Sequence, residues 1–314
     1  MYQIDNADSF SGWRRLISNS FVPLDAEPVR AGRFNGRIGG RRLQDFGMMQ
    51  VDAAAHTVVR TPELIGAGGA GHYKLNLQLD GHALLLQDGR ETVMRPGDLA
   101  IYDTQRPYTL TFDEDFRTLV LMFPQHLLGL SPEDVAELTA VRMGKGQRLG
   151  DAVVPFVSQI GEMLPTLDGP IGYRLAMNVV DLLSTLLADE IYTRPDQAAD
   201  GNVRLLRRIQ HHIDANLANP GLTPPAIAAA HYISTRTLHQ LFADNGHTVA
   251  GWIRERRLER CRRDLIDPLH AEVPVSAVGT RWGLPDAAHF SRAFRSAFGV
   301  SPSQYRKAQG HAAA

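Results

Sequence analysis

Between residues 71 and 124 the chain alternates apolar and polar positions in short segments separated by turn residues. Residues 73–79 alternate strictly, so their odd-numbered side chains face one way and their even-numbered side chains the other, as in a β-strand. The Asp-Gly pairs at 80–81 and 88–89 are typical of hairpin turns. Further strands are predicted at 99–103, 108–112 and 116–123, with a turn at 95–98. Successive hairpins without intervening helices predict an antiparallel β-barrel or jelly roll.

After Pro132 the period becomes helical, and it is strongest over residues 171–191. Apolar residues recur there every three or four positions and form one stripe along the helix. The pattern does not decide what packs against the stripe, which is either the barrel of the same chain or a second copy in a dimer. The polar stretch 194–202 is predicted to be a linker. The stripe consists of Leu175, Val179, Leu182, Leu183, Leu186 and Leu187.

From residue 203 to residue 314 the pattern is helical and contains an internal repeat. A serine, a leucine and a phenylalanine, spaced four apart from Ser234, recur 52 positions later as an aspartate and two phenylalanines from Asp286. Each copy has the pattern of two short helices joined by a tight turn, at about 222–245 and 275–298. The sequence therefore predicts an α+β protein of two domains. These are a barrel domain at 1–193, with a helical part at about 132–193, and an all-α domain at 203–314 with two helix-turn-helix motifs.

Capping residues favour this interpretation of both copies. In the first copy Thr223 is placed to cap the supporting helix, and Ser234 is placed to cap the second helix. In the second copy Gly283 suits a left-handed turn and Asp286 is placed as the cap. His231 takes the place of Gly283 in the first copy, which predicts a looser or strained turn there.

The second helix of each copy has a polar face that suits base edges in a DNA major groove. Its apolar residues are expected to face inward, and its polar residues outward. The inward set is Leu238, Leu241 and Phe242 in the first copy, and Phe290, Phe294 and Ala297 in the second. The outward set is Arg236, Thr237, His239 and Gln240 in the first copy, and His289, Arg292, Arg295 and Ser296 in the second.

A long helix at 252–265 separates the copies and carries six arginines among three acidic residues. We expect some of these arginines, Arg257 and Arg260 among them, to bind DNA phosphates and others to pair within the helix. If the helix is rigid, the two reading helices lie about 34 Å apart, in successive major grooves.

The formal charge divides along the same boundary. Residues 201–314 carry 15 basic and 8 acidic side chains, whereas the preceding residues carry 18 basic and 26 acidic ones. A basic domain joined to an acidic one is typical of a phosphate-binding module attached to a domain with another role. No run of about 18 apolar residues and no signal-peptide pattern occurs, which predicts a cytoplasmic protein without a membrane segment. The single cysteine, Cys261, predicts neither a disulfide nor a zinc finger.

The C-terminal half resembles the AraC/XylS family of bacterial transcription regulators. The resemblance covers about a hundred residues and is strongest at 277–306, which read AVGTRWGLPDAAHFSRAFRSAFGVSPSQYR. It implies sequence-specific binding to double-stranded DNA through the early outward positions of each second helix. Two of these are alanines, which offer no hydrogen bond, so we expect the second motif to read sequence less sharply. The implied positions are Arg236, His239 and Gln240, then Ala287, Ala288, His289 and Arg292.

Residues 95–103, followed by Arg106-Pro-Tyr108, resemble the cupin-type sensor domain that precedes the DNA reader in many of these regulators. The resemblance implies a small-molecule effector in the barrel and a homodimer through the adjoining helices. RNA polymerase is a further expected partner if the protein is an activator. The metal-binding cupin pattern, a His-x-His pair with a downstream Glu and His, does not occur, so we predict no metal and no cofactor.

Either face of the strand at 73–79 could line the barrel interior, because effector pockets combine apolar walls with a few polar groups. The effector-binding candidates are Trp13, Lys74, Asn76, Gln78, Tyr102 and Tyr108.

Two other functions are compatible with the same pattern. One is a cupin-type small-molecule enzyme that carries a nucleic-acid-binding module, although no catalytic motif supports it and we expect no catalytic residue. The glycine run at 66–71 matches the dinucleotide fingerprint, but a strand follows it instead of a helix, so we interpret it as a loop. The other is a regulator whose barrel senses nothing and only dimerises.

Overall fold

The first part of the chain folds into two β-sheets flanked by helices. The computed structural model describes residues 2–30, 32–43, 45–66, 71–144, 146–147, 149–193 and 201–310. The strands are β1 (Gln3–Ala7), β2 (Asp25–Pro28), β3 (Gly36–Leu43), β4 (Phe46–Ala53), β5 (His56–Arg60), β6 (His72–Asp80), β7 (Ala83–Gln87), β8 (Arg90–Met94), β9 (Asp98–Asp103), β10 (Tyr108–Phe112), β11 (Phe116–Pro124) and β12 (Met143–Gly144). The helices are α1 (Phe10–Ser20), α2 (Pro62–Gly66), α3 (Pro132–Ala136), α4 (Gly150–Glu162) and α5 (Gly169–Thr193), with a 3-10 turn at Gln125–Leu127.

The strands pair antiparallel in two sheets, with the orders β1-β3-β4-β11-β6-β9-β12 and β2-β5-β10-β7-β8. This confirms the predicted antiparallel barrel or jelly roll, and β9, β10 and β11 lie where the sequence predicts strands. Of the two predicted hairpin turns, the one at 88–89 joins the paired strands β7 and β8, and Asp88 and Gly89 have φ values of 54° and 71°, as a type I′ turn requires. The prediction at 80–81 is wrong, because that turn connects β6 to β7, which lie in different sheets. Strands β1 to β5 were not predicted. Strand β3 shows why, because its sequence GRIGGRRL has three glycines and lacks the alternation of a half-buried strand.

Both faces of β6 are buried. Leu77 pairs with Leu119 of β11, and a Cβ atom built on Gly161 of α4 would lie 2.7 Å from Leu119, so the apolar face packs beneath that helix. The opposite, polar face points between the two sheets. Lys74 and Asn76 are only 3% and 0% exposed there.

Helix α5 packs its apolar stripe against its own unit. Val179, Leu183 and Leu187 have no exposed surface, and the hydroxyl of Ser184 donates to the carbonyl of Leu128. Of the two covers that the sequence left open, the barrel unit itself therefore covers most of the stripe, although Leu182 remains 37% exposed. The segment Ile171–Ile191 is long and apolar enough to cross a membrane, but 56% of it is buried within the protein, as expected for a core helix.

The second unit, Pro195–Ala314, is all-helical, as predicted, and is separate from the first unit, Met1–Arg194. Helix α6 begins at Gly201, inside the stretch predicted as a linker, whereas residues 194–200 lie outside the described residues, as do 67–70 of the glycine run. The helices are α6 (Gly201–Ala215), α7 (Pro224–Ala230), α8 (Thr235–Ala243), α9 (Val249–Ile266), α10 (Val275–Arg281), α11 (Ala287–Phe298) and α12 (Pro302–Gly310), with a 3-10 turn at Pro268–His270.

Each copy of the repeat has its own hydrophobic core, and α9 contributes to both. Ile253 of α9 packs in the first core, while Leu258 and Cys261 pack in the second. Trp282 contacts both cores. The single cysteine, Cys261, is a packing residue of the second core. Burial raises the pKa of its thiol because burial disfavours the thiolate.

Candidate DNA-binding surface and barrel cavity

The reading helices α8 and α11 begin at the caps that the sequence predicts. The hydroxyl of Ser234 accepts a hydrogen bond from the backbone N–H of Thr237 at 3.0 Å. The carboxylate of Asp286 accepts from Ala288 N at 2.9 Å and from His289 N at 3.0 Å, and these bonds lower its pKa. A charged cap at a helix N-terminus stabilises the helix through the exposed backbone donors and the helix dipole.

The sequence repeat pairs His231 with Gly283, but the structure does not. His231 has an ordinary φ of −105°, while the left-handed residue of the first turn is Tyr232, with φ 56°. Gly283 is left-handed as predicted, with φ 72°. The second turn is one residue longer because Pro285 is inserted before the cap, so the supporting helices match at an offset of 51 and the reading helices at 52.

The two reading helices bury their apolar faces as predicted, with one exception. Leu238 and Phe242 in α8, and Phe290 and Phe294 in α11, are at most 1% exposed. Ala297 is exposed, because Phe298 fills the inner side of the helix end instead, with its ring centroid 4.5 Å from that of Phe294.

The predicted base-contacting residues all lie on the exposed surface of the second unit. The amide of Gln240 donates a hydrogen bond to the carboxylate of Asp244 at 2.6 Å. The exposed set comprises Arg236, Thr237, His239, Gln240, Ala287, Ala288, His289, Arg292 and Arg295.

Arg257, which the sequence predicts to bind a DNA phosphate, contacts backbone carbonyls of its own unit, and the phosphate contact stays a prediction. Its guanidinium donates to the carbonyls of Leu217, Asn219 and Gly283 at 3.0, 2.8 and 3.2 Å. It therefore joins the turn before α7 to the turn between α10 and α11. The sequence could not indicate this role, because the three carbonyls come from segments distant along the chain.

The other arginines of α9 divide between internal contacts and the surface. Arg260 is half-buried, with its guanidinium 5.8 Å from the centroid of Trp282, and its predicted phosphate contact stays a prediction. Arg256 forms an ion pair with Asp214 of α6 at 2.9 Å. Arg254 is exposed. Only part of this positive charge therefore faces solvent.

The space between the two sheets of the first unit contains a cavity of about 40 Å³. Five of the six effector candidates line it. The sixth, Gln78, is buried nearby, and its amide donates to the carbonyl of Asp80 at 2.7 Å. The five lining candidates are Trp13, Lys74, Asn76, Tyr102 and Tyr108.

A buried hydrogen-bond chain attaches α1 to the wall of this cavity. The indole N–H of Trp13 donates to Nε2 of His56 at 3.0 Å, and His56 Nδ1 donates to the carbonyl of Ala54 at 2.8 Å. Burial lowers the pKa of His56 to about 4, so the ring is neutral near pH 7 and accepts the indole proton.

Sequence reasoning missed several lining residues. Phe112 lies on the same face of β10 as Tyr108, so the alternation of that strand could have indicated it. Phe21 and His56 have no such pattern, because they come from the loop after α1 and the unpredicted β5. Within the described residues, no three His, Cys, Asp or Glu side chains form a metal-binding group.

Both units match known protein families. Residues 13–188 match the AraC-binding-like domain family, and residues 227–308 match a helix-turn-helix domain family. The transcriptional activator NphR of Rhodococcus sp is 32% identical over 309 residues, which cover 97% of this chain and 91% of that protein. The XylDLEGF operon transcriptional activator of Pseudomonas putida is 23% identical, over 87% of this chain and 85% of its own. The crystal structure of the AraC-like transcriptional activator CuxR has the same fold, with a TM-score of 0.52 and 22% identity over 87% of this chain and 96% of that one.

Proposed function

The chain belongs to the AraC/XylS family of DNA-binding transcription regulators, and from this premise we propose that it activates transcription when a small-molecule effector binds in its barrel. In this proposal residues 1–193 bind the effector and dimerise, and residues 203–314 bind the promoter. The activating direction is supported by the two relatives described above, both of which are named transcriptional activators.

The observation that carries the proposal is the pair of capped reading helices with exposed polar faces in a basic unit. Exposed arginine, histidine and glutamine side chains at the start of a helix are the groups that read base edges in a major groove. We assign base contacts to Arg236, His239 and Gln240 in α8, and to His289 and Arg292 in α11. Thr237, Arg295 and the methyl groups of Ala287 and Ala288 complete the assigned contact set.

Three further parts of the proposal concern partners and location. The protein acts as a homodimer through its first unit, and it contacts RNA polymerase at the promoter. It acts in the cytoplasm, where bacterial DNA is accessible. It performs no catalysis, and its barrel serves to sense the effector.

The test is selection of bound duplexes from a random pool by the full chain at about 0.15 M salt, followed by footprinting. We expect one preferred sequence with half-sites spaced by whole helical turns, about 10.5 base pairs or a multiple. The double variant Arg236→Ala/Arg292→Ala should lose this preference and keep residual salt-dependent binding. Binding without any sequence preference would refute the proposed function, and a monomer by sedimentation would refute the dimer.

A further inference from the structure

Lys74 is a buried amine, and no anion pairs with it among the described residues. Its side chain is 3% exposed, and no carboxylate in the described part of the chain pairs with it. Among the described residues its one polar contact is a hydrogen bond from Nζ to the hydroxyl of Tyr108 at 3.4 Å, and the rings of Phe21, Tyr102 and Tyr108 lie around the amine. A buried ammonium group without a counter-charge is unfavourable, so such a lysine either loses its proton or is charged beside a bound anion.

Asn76 adds a second unsatisfied group on the same face of β6. Within the part of the chain that the structure describes, neither its amide nitrogen nor its amide oxygen has a hydrogen-bond partner, although its side chain has no exposed surface. An unpartnered buried polar group costs about 1–3 kcal/mol. Both side chains line the same cavity, so part of that cost is recovered if a ligand there accepts a hydrogen bond from each.

The rest of the cavity wall narrows the chemistry of such a ligand. A cationic ligand is disfavoured by Lys74 in the wall and by the nearby charge of Arg60, which does not line the cavity but is 2% exposed and donates to the carbonyls of Pro23 and Thr104. A ligand rich in hydroxyl groups is disfavoured because aromatic and aliphatic side chains, Phe112 and Phe116 among them, form most of the wall.

We propose that this cavity binds a small organic anion, a carboxylate or phenolate on a ring-sized apolar body, through Lys74 Nζ and Asn76 Nδ2. This inference rests on the proposed function, since it names the chemical class of the effector. The anionic oxygen accepts from the ammonium and the amide, and the apolar body packs among the rings.

The cavity of about 40 Å³ has room for the anionic group but not for a ring, since an engineered cavity that admits benzene measures about 150 Å³. The ring of Phe21 has its centroid 4.2 Å from Lys74 Nζ and lies at the C-terminus of α1, where its side chain is only half-buried. The apolar body therefore replaces Phe21 over the ammonium group. This displacement would move the end of α1, and it links occupancy of the barrel to a change at the surface of the unit.

Protonation of Lys74 provides a signature of this mode of binding. Burial, with the nearby charge of Arg60, lowers the pKa of Lys74 to about 7, so the side chain is largely neutral at pH 8.5 in the free protein. The other titratable groups at the cavity do not change charge in this range, because burial lowers the pKa of His56 to about 4 and raises the pKa of Tyr102 and Tyr108. A bound anion favours the charged ammonium and raises its pKa, so binding at pH 8.5 takes up a proton.

The test uses isothermal titration of the full chain with phenylacetate and cyclohexanecarboxylate, and with the neutral amide of each acid. We expect at least one acid to bind about 10- to 100-fold more tightly than its amide, the ratio that a charge-assisted hydrogen bond provides. Titration at pH 8.5 in two buffers of different ionisation enthalpy should show proton uptake. If neither acid binds at concentrations up to about 1 mM, or if the amides bind equally well, the inference is wrong.

Three variants locate the binding at the cavity. Lys74→Met keeps an unbranched side chain and should lose acid binding and proton uptake, while Lys307→Met, which removes an exposed charge from α12, should retain both. Phe21→Ala should bind the acid more tightly, because no ring has to be displaced. Full acid binding by Lys74→Met, or weaker binding by Phe21→Ala, would contradict the proposed geometry.

The DNA footprint separates failure of this inference from failure of the proposed function. A full chain that footprints a specific site but responds only to neutral compounds would overturn the anion site and leave the regulator role intact. A full chain that binds the acid with proton uptake but shows no DNA sequence preference would do the reverse. Lys74→Met should keep the footprint of the parent protein, which also shows that the variant is folded.

Discussion

The two helix-turn-helix motifs of the second unit share one architecture but hold their turns by different means. In both, a supporting helix ends on a left-handed residue, and a backbone N–H returns to it: Ile233 N to Ala228 O at 3.0 Å, and Leu284 N to Gly279 O at 2.9 Å. The first motif achieves the left-handed turn with Tyr232, which is 97% exposed, and the second with Gly283. The two motifs thus share one backbone geometry with different side chains, at different energetic costs.

The motifs also differ in how closely their helices pack. A Cβ atom on Gly279 would lie 2.9 Å from the ring of Phe290 and 3.0 Å from the carbonyl of Leu284, so α10 and α11 approach too closely for a side chain there. The first motif has Ala228 at the same structural position, where α8 places the smaller Leu238 inward. The glycine and the larger aromatic residue of the second motif compensate for each other.

The largest predicted effect concerns the contact that joins the two motifs. Arg257→Met should lower the free energy of unfolding of the second unit by about 2–4 kcal/mol, because three carbonyls lose a charged donor. Urea unfolding followed by far-ultraviolet circular dichroism measures the loss. The control is Arg254→Met on the same helix, whose exposed side chain should change stability by less than about 0.5 kcal/mol. Equal effects of the two variants would show that the contact does not stabilise the unit.

The next effect tests whether the motifs read DNA unequally. Arg236→Ala and Arg292→Ala should each weaken binding to the selected site by about 1–3 kcal/mol if each arginine contacts a base. Titrations against a set of single-base variants of the site should show larger losses in the half bound by the first motif, because Ala287 and Ala288 offer no hydrogen bonds. An equal loss on every sequence would identify the arginine in question as a phosphate contact.

The third effect tests the packing difference. Gly279→Ala should lower the free energy of unfolding by about 1–3 kcal/mol, because the added methyl group overlaps the ring of Phe290. The reciprocal change Ala228→Gly adds no overlap and should cost only about 1 kcal/mol through the lower helix propensity of glycine. Thermal unfolding of both variants provides the comparison, and a larger loss in Ala228→Gly would contradict it.

The smallest effect tests the turns. Tyr232→Gly should stabilise the unit by up to about 1 kcal/mol, since a left-handed residue with a side chain costs about 1–2 kcal/mol and glycine loses part of this gain through its greater freedom in the unfolded chain. Gly283→Ala should have the opposite sign, because it adds both the left-handed cost and a Cβ atom 2.7 Å from the guanidinium of Arg257. The same sign for both changes would show that the two turns are not equivalent.

The sequence by itself determined the architecture of the second unit and its reading helices. Caps such as Ser234 and Asp286 and the spacing of Phe290 and Phe294 are local signals, because helix periodicity and capping act within a few residues. The same holds for the strands β6 to β11 and for the hairpin of β7 and β8, whose alternation and turn lie within one short stretch. How the other consecutive strands divide between the two sheets is not a local signal.

Only the tertiary structure decided where several key side chains lie. Alternation in β6 defined two faces but not which one points into the barrel, and the polar face with Lys74 and Asn76 is the interior one because α4 covers the other. The sequence pattern of Arg257 is that of a surface arginine, but in the fold its guanidinium donates to the carbonyls of Leu217, Asn219 and Gly283. In each case the partner lies far along the chain, so local periodicity could predict the element but not what its side chains contact.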